Sequence, residues 1–134
     1  MKKQIKHVCT FHDSFGIKNN YKPTEKVSKD VVLLRHRLMA EENEEYLEAC
    51  KSGDLVEIAD ALGDMMYILC GTILSHGLQD KIEDIFEEIQ ASNMSKLGSD
   101  GKPIYREDGK IMKGPNYFRA ISIIAINLFS KPAG

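Results

Sequence analysis

The stretch EENEEYLEACKSGDLVEIADALGD, residues 41–64, decides the fold of this chain. Two segments with helical apolar spacing flank a short turn, Lys51-Ser52-Gly53, and Asp54 is a good N-cap for the second segment. So short a connection returns the second helix antiparallel to the first. The stretch therefore predicts a helical hairpin.

Acidic residues lie beside the apolar faces of this hairpin, where acids are normally excluded: Glu41, Glu42, Glu45, Glu57 and Asp60. Residues three and four apart share a helical face, and the two sets lie at similar distances from the turn, so they should meet. Without a cation, mutual repulsion would raise several of their pKa values. Oxygen-only ligands favour Mg²⁺, with Mn²⁺ as a second choice, over zinc. Spacing alone leaves open a pair of exposed acidic faces instead.

Outside the hairpin, apolar spacing predicts two further helices, over about residues 2–16 and 80–97. The first helix of the hairpin should begin at the N-cap Ser28, with Leu34 and Leu47 facing inward. The second should end near Gly77. Because this helix is apolar nearly all round in its second half, we expect it to be buried on several sides or packed against a second subunit.

The last third of the chain has a different character. Asp100-Gly101 and Asp108-Gly109 are turn formers, so residues 98–117 should form a small hairpin or an ordered flap. The apolar tail, residues 120–129, should form a short helix or strand against the bundle or another protomer. With no strand–helix alternation, the prediction is an all-α fold like a four-helix bundle, in a single domain over residues 1–134.

Composition limits the partners of the chain. Its 134 residues are 43% hydrophobic and 28% charged, as in ordinary globular proteins, and the net charge of -2 gives no electrostatic basis for binding nucleic acid. No apolar run approaches the roughly 20 residues that span a membrane. The three cysteines are far apart and odd in number, which favours buried, reduced thiols in a cytoplasmic protein.

Four motifs together resemble a known family. They are EE-x-x-E at residues 41–45, E-x-x-D at residues 57–60, SNMSK at residues 92–96 and KGPNY at residues 113–117. The chain resembles the all-α nucleoside triphosphate pyrophosphohydrolases, in the MazG-like or phosphoribosyl-ATP pyrophosphohydrolase-like branch. The resemblance implies a Mg²⁺-dependent attack of water on the α-phosphorus of a nucleotide, giving a monophosphate and pyrophosphate. It also implies a homodimer or homotetramer.

The resemblance assigns roles to the acids. Glu42, Glu45, Glu57 and Asp60 match the metal ligands, and Glu41 matches a further glutamate that is a ligand or a base orienting the water. Glu41, Glu42 and Glu45 are therefore the expected catalytic residues. Asp64 shares the face of Asp60 and is either a supporting group or an alternative ligand.

The resemblance also implies substrate contacts: Asn93, Lys96, Lys113 and Tyr117, with Phe11 and Phe15 near the nucleobase. From the residues alone, Lys96 would equally complement the end of its helix, and the phenylalanines would be part of a core stripe. Two other functions stay open. One is the phosphoribosyl-ATP pyrophosphohydrolase of histidine biosynthesis, and the other is a non-catalytic oligomeric module that binds metal or nucleotide.

Overall fold

The computed structural model describes residues 1–129 and is all-helical there, as predicted. Five helices follow one another in the described part of the chain: α1 (Lys2–Ser14), α2 (Lys29–Ser52), α3 (Leu55–Ser75), α4 (Ile82–Met94) and α5 (Ala120–Phe129). The apolar tail is thus a fifth helix rather than a strand. Within residues 1–129 the β-structure is one isolated antiparallel bridge between Tyr105 and Ile111.

Side-chain caps fix the helices that form the hairpin. Ser28 Oγ accepts a hydrogen bond from the Val31 amide at 3.3 Å, and Asp54 Oδ1 accepts one from the Glu57 amide at 3.1 Å. Gly53 ends α2 in the left-handed conformation, with φ of 68°, which costs glycine little. Both predicted N-caps are therefore confirmed, and α3 starts two residues after Gly53.

The chain divides into two compact units, and the first is Met1–Asp80. Within it, α3 contacts both α1 and α2. The buried apolar side chains of this unit lie mostly on α1 and α3: Ile5, Val8, Ala49, Ala61, Cys70, Ile73 and Leu74. The loop after α1 is tied to the end of α3, since Asn20 Nδ2 donates to the Ser75 carbonyl at 2.6 Å.

The second unit begins at Lys81 and contains α4, α5 and the segment between them. Two backbone hydrogen bonds flank the Tyr105–Ile111 bridge, so residues 104–112 form a small turn-back as predicted. The Gly114 amide donates to the Lys96 carbonyl at 2.9 Å, and Ser92 Oγ donates to the Phe118 carbonyl at 2.8 Å. The segment is thereby anchored to α4. That both units belong to one domain stays a prediction.

Much of the apolar surface of α2 is uncovered in the single chain. Leu34 and Leu47 are 40% and 44% exposed, so the prediction that they face inward is wrong. The reason is that α2 packs mainly on α3, which can cover only one stripe of the helix. Leu62, Met66 and Leu69 of α3 are also exposed.

By length and composition, α3 alone among the described helices could cross a membrane. The central helix of a soluble protein passes the same criteria, so this finding carries little weight. Glu57, Asp60 and Asp64 lie along α3, and acids are costly in a bilayer interior. We therefore interpret α3 as the central helix of the first unit, where it contacts α1 and α2, rather than as a membrane span.

The three cysteines are free thiols, but not all are buried as predicted. Cys70 is buried and Cys9 is half-buried, whereas Cys50 is exposed. Cys50 lies in the last turn of α2, on a part of the helix that no other described helix covers.

Candidate metal centre

The hairpin brings three carboxylates to one place. Glu42 lies 11 residues before Gly53 and Asp64 lies 11 residues after it, so an antiparallel pair of helices sets them side by side. One oxygen from each of Glu42, Glu45 and Asp64 lies within 4.8 Å of the others. We refer to these three residues as the acidic group.

Burial and mutual repulsion act on this group. The pKa of Glu42 is raised first by burial and then by the charges of Glu45, Asp64 and Asp60. The pKa of Asp64 is raised by burial and then by the charges of Asp60 and Glu45. Bringing together carboxylates that resist ionisation is unfavourable unless a cation joins them.

The group fits a hard divalent cation. Glu42 Oε2 is buried and has no hydrogen-bond partner, and a buried polar atom left unpaired is costly. Among residues 1–129, no lysine or arginine forms an ion pair with any member of the acidic group. Three carboxylates, one of which has an oxygen without a hydrogen-bond partner, form an all-oxygen donor set, which suits Mg²⁺ or Mn²⁺.

Asp60 and Glu57 lie beside this group. Asp60 is exposed, and its charge reaches both Glu42 and Asp64. Glu57 borders a groove of about 580 Å³ whose other lining residues include Glu45, Glu44 and Glu48. Their assignment as ligands stays a prediction.

Glu41 points elsewhere along α2. Its carboxylate pairs with Arg37 Nε at 3.8 Å, one helical turn earlier, and both side chains are well exposed. An exposed pair of this kind is weak, so Glu41 is free to exchange this partner for another. The described structure leaves it outside the acidic group.

Asp64, the third member of the group, was only an alternative ligand by sequence. The pairing of acids by approximate distance from the turn favoured Glu57 and Asp60 as partners of Glu45. The better signal is the equal count of residues on either side of Gly53, which pairs Glu42 with Asp64. That count becomes reliable once the position of the turn residue is known.

An aromatic cluster joins α1 to α3. The rings of Phe11 and Phe15 are 4.5 Å apart, and Tyr67 meets Phe11 edge-on at 5.6 Å. Phe15 is 70% exposed, so it does not fill a core in the single chain, and its contact with a nucleobase stays a prediction. Sequence reasoning missed Tyr67, which lies one helical turn beyond Asp64 on α3.

The predicted substrate contacts of the second unit also come together. The hydrogen bond from Gly114 to Lys96 brings the KGPNY and SNMSK segments side by side. Lys113 Nζ lies 4.8 Å from the centre of the Tyr117 ring, a cation–π contact, and Asn93 is exposed. These residues form a polar, partly basic surface within their own unit.

Comparison with known proteins agrees with the fold. Residues 8–93 match the family described as phosphoribosyl-ATP pyrophosphohydrolase. The match spans most of the chain and includes every member of the acidic group. The chain belongs to this family, within the all-α nucleoside triphosphate pyrophosphohydrolase superfamily, and is an enzyme of the pyrophosphohydrolase class.

A solved structure supports the same class. The chain is similar to a protein from Exiguobacterium sp. 255-15 described as a "putative NTP pyrophosphohydrolase". The two are 26% identical with a TM-score of 0.51, and the similarity covers 92% of each chain. Among curated proteins, none matches the chain.

Proposed function

We propose that the chain is a Mg²⁺-dependent nucleoside triphosphate pyrophosphohydrolase. Water would attack the α-phosphorus and release a nucleoside monophosphate and pyrophosphate. The observation that carries this proposal is the acidic group, which includes the buried and unpaired Oε2 of Glu42, in a chain of this family. Its role would be housekeeping of the nucleotide pool, by hydrolysis of unwanted nucleotides.

Glu42, Glu45 and Asp64 would hold the metal. Asp60, whose charge acts on Glu42, and Glu57, which lines a groove with Glu45, are further candidate ligands. When bound, Mg²⁺ or Mn²⁺ would neutralise phosphate charge and polarise the reacting phosphoryl group. Glu42 and Glu45 would thereby serve catalysis by holding the positive charge of the ion next to the phosphate. Because the pKa values of Glu42 and Asp64 are raised in the absence of a cation, metal binding would favour the ionised forms of these two carboxylates.

Glu41 is our candidate for the group that orients the water or accepts its proton. A carboxylate suits either task when it lies within hydrogen-bond reach of the water. Glu41 is exposed, and its one ion pair, with Arg37, is a weak surface pair. It can therefore turn toward a bound substrate at small cost.

Each unit has its own candidate residues for contacting the substrate. Phe11 and Phe15, together with Tyr67, offer aromatic faces on which a nucleobase can stack. Lys96 and Lys113 would contact phosphate oxygens, and Asn93 and Tyr117 would supply polar contacts. The support for these roles is that the SNMSK and KGPNY segments lie side by side in the second unit.

The test is pyrophosphate release from a panel of dNTPs, NTPs and phosphoribosyl-ATP, with Mg²⁺ and with EDTA. We expect EDTA-sensitive release with a monophosphate product. Glu42→Gln should abolish it, whereas the matched variant Glu87→Gln, at an exposed position of α4, should not change it. Release that persists in EDTA, or in Glu42→Gln, would overturn the proposed centre.

The second candidate is a phosphoribosyl-ATP pyrophosphohydrolase, which the name of the matching family favours. It would use the same acids, so only the substrate panel separates the two candidates. The remaining alternative, a non-catalytic metal- or nucleotide-binding module, would bind Mg²⁺ and nucleotide in the same assay without any turnover.

We also propose that the protein acts in the cytoplasm as a homodimer or homotetramer. Three free cysteines support a reducing compartment. The exposed apolar side chains of α2 and α3, Leu34, Leu47, Leu62, Met66 and Leu69, support a covered face between copies of the chain. Light scattering after size exclusion would give the mass, and a monomer at micromolar concentration would contradict this part of the proposal.

A further inference from the structure

Arg35 of α2 is a half-buried cation for which residues 1–129 provide no ion-pair or hydrogen-bond partner. Its Nε atom is buried and has no hydrogen-bond acceptor. Within residues 1–129 no carboxylate forms an ion pair with it, although the chain carries 20 acidic residues. Arginine is rarely buried unless it is paired, because an unpaired charge is costly to remove from water.

The guanidinium lies against Gly71 of α3. A Cβ atom at Gly71 would meet Arg35 Nη2 at 2.9 Å and Nη1 at 3.0 Å, and His12 Nε2 also at 3.0 Å. Only glycine leaves room for this approach. Three nitrogen atoms from α1 and α2 therefore surround one point on the surface of α3.

His12 shows which of its nitrogens faces that point. The imidazole is 2% exposed, and its Nδ1 donates to Asn19 Oδ1 at 2.7 Å. Nδ1 is thus engaged on the far side, and Nε2 is the atom directed toward Gly71 and Arg35. An imidazole carries no negative charge, so His12 cannot neutralise the guanidinium of Arg35.

Arg35 is aligned with the acidic group along the helix pair. Arg35 lies 18 residues before Gly53 and Gly71 lies 18 residues after it. We call a pair of positions at equal distance from Gly53 a level of the helix pair. The level of Arg35 and Gly71 is seven residues from the level of Glu42 and Asp64, which is two helical turns or about 10 Å along the axis. Tyr67 lies between the two levels on α3, so carboxylates, an aromatic ring and a guanidinium follow one another at 64, 67 and 71.

This order matches the chemistry of a nucleotide. Burial lowers the pKa of Arg35, but a guanidinium keeps its proton in proteins, so the charge must be met by an anion. Its planar fork of donors suits phosphate, which it can bind through two parallel hydrogen bonds. Phosphate is the one anion that a pyrophosphohydrolase substrate brings in quantity.

We propose that Arg35, whose guanidinium lies against Gly71 and whose Nε has no acceptor, binds a phosphate group of the nucleotide ligand, about 10 Å along the helix pair from the level of the acidic group. That the ligand is a nucleotide rests on the proposed function. The position of the Arg35 guanidinium is seen in the structure and does not depend on that function. The phosphate is either part of the triphosphate or a second phosphate beyond the base, as in phosphoribosyl-ATP.

The test compares Arg35→Met, which keeps an unbranched apolar stem and removes the guanidinium and its charge, with wild type. The probes are pyrophosphate, ATP and phosphoribosyl-ATP, each with Mg²⁺, by calorimetry and, where turnover occurs, by KM and kcat. Losing a charged hydrogen bond should weaken binding of at least one probe by about 10- to 100-fold. The effect should fall mainly on KM and should shrink as salt is raised.

Lys29→Met is the matched control, since it removes one positive charge from an exposed position of the same helix. It should bind all three probes like wild type. If Arg35→Met does not fold, Arg35→Lys keeps the charge without the fork, and Gly71→Ala displaces the guanidinium without removing it. Both should weaken the same probe.

The probes locate the phosphate. Weaker binding of pyrophosphate and ATP places the contact on the triphosphate, and weaker binding of phosphoribosyl-ATP alone places it beyond the base. Unchanged binding of all three probes in a folded Arg35 variant would overturn the proposal, even if the enzyme turns over nucleotides. Absence of turnover would instead count against the proposed function, while the calorimetric comparison of variants still decides on Arg35.

Discussion

Two levels of the α2–α3 pair carry charge of opposite sign, and the described residues, 1–129, form no ion pair at either level. At the level of Glu42 and Asp64, carboxylates crowd together without a cation. Two turns away, at the level of Arg35 and Gly71, a guanidinium lies half-buried without an anion. Attraction between the levels is weak at about 10 Å, so each needs a ligand of its own. A folded chain that leaves both levels incomplete is arranged for a ligand rather than for its own stability.

The largest expected effect is at the acidic level. Glu42→Gln or Asp64→Asn should weaken binding of Mn²⁺ by more than about 100-fold, because each removes a charged oxygen donor from the group. Asp60→Asn should weaken it less, since Asp60 acts on the group through its charge from an exposed position. Calorimetry with Mn²⁺ gives all three affinities.

Equal losses for Asp60→Asn and Asp64→Asn would show that Asp60 is itself a ligand. That result would favour the assignment by motif over the assignment by register. Glu87→Gln is again the control for loss of a surface carboxylate, and it should leave Mn²⁺ affinity unchanged.

These variants also probe how far the sequence could predict the site. The helical hairpin and the caps Ser28 and Asp54 follow from local chemistry, so the sequence pattern predicts them. The choice of Asp64 depends on register across the turn, and the roles of Arg35, Gly71 and Tyr67 depend on contacts between helices. The prediction that Leu34 and Leu47 face inward was wrong because the buried face of α2 is set by the helices that pack on it, which its own sequence does not specify.

The second prediction concerns stability and pH. Folding raises the pKa of Glu42 above its ordinary 4.5 and that of Asp64 above its ordinary 3.8. A raised pKa means that the folded state holds the proton more tightly, so this contribution is present at low pH and is lost as pH rises through the raised values. In EDTA, the melting temperature should therefore fall over that range.

Saturating Mg²⁺ should oppose this loss, because the ion binds the ionised carboxylates of the folded state only. The measurement is the melting temperature across pH, with EDTA and with Mg²⁺. Asp64→Asn should flatten the EDTA curve by removing one of the two titrating groups. Parallel curves with and without Mg²⁺ would mean that these acids do not respond to the ion.

The smallest effect distinguishes the two levels by their glycines. Gly63 adjoins the acidic level and Gly71 the Arg35 level, and both lie inside α3. A Cβ atom at Gly63 would meet nothing within 4 Å, whereas one at Gly71 would crowd Arg35 and His12. Alanine is favoured over glycine in a helix interior by roughly 1 kcal/mol.

Gly63→Ala should therefore raise the free energy of unfolding by up to about 1 kcal/mol, and Gly71→Ala should lower it or leave it unchanged, because the clash opposes the gain in helix propensity. Urea unfolding of the two variants measures the difference under identical conditions. Equal stabilisation by both substitutions would mean that the guanidinium of Arg35 moves away from Gly71 without cost. The space at Gly71 would then not be what holds Arg35 in place, and the second level would lose its structural basis.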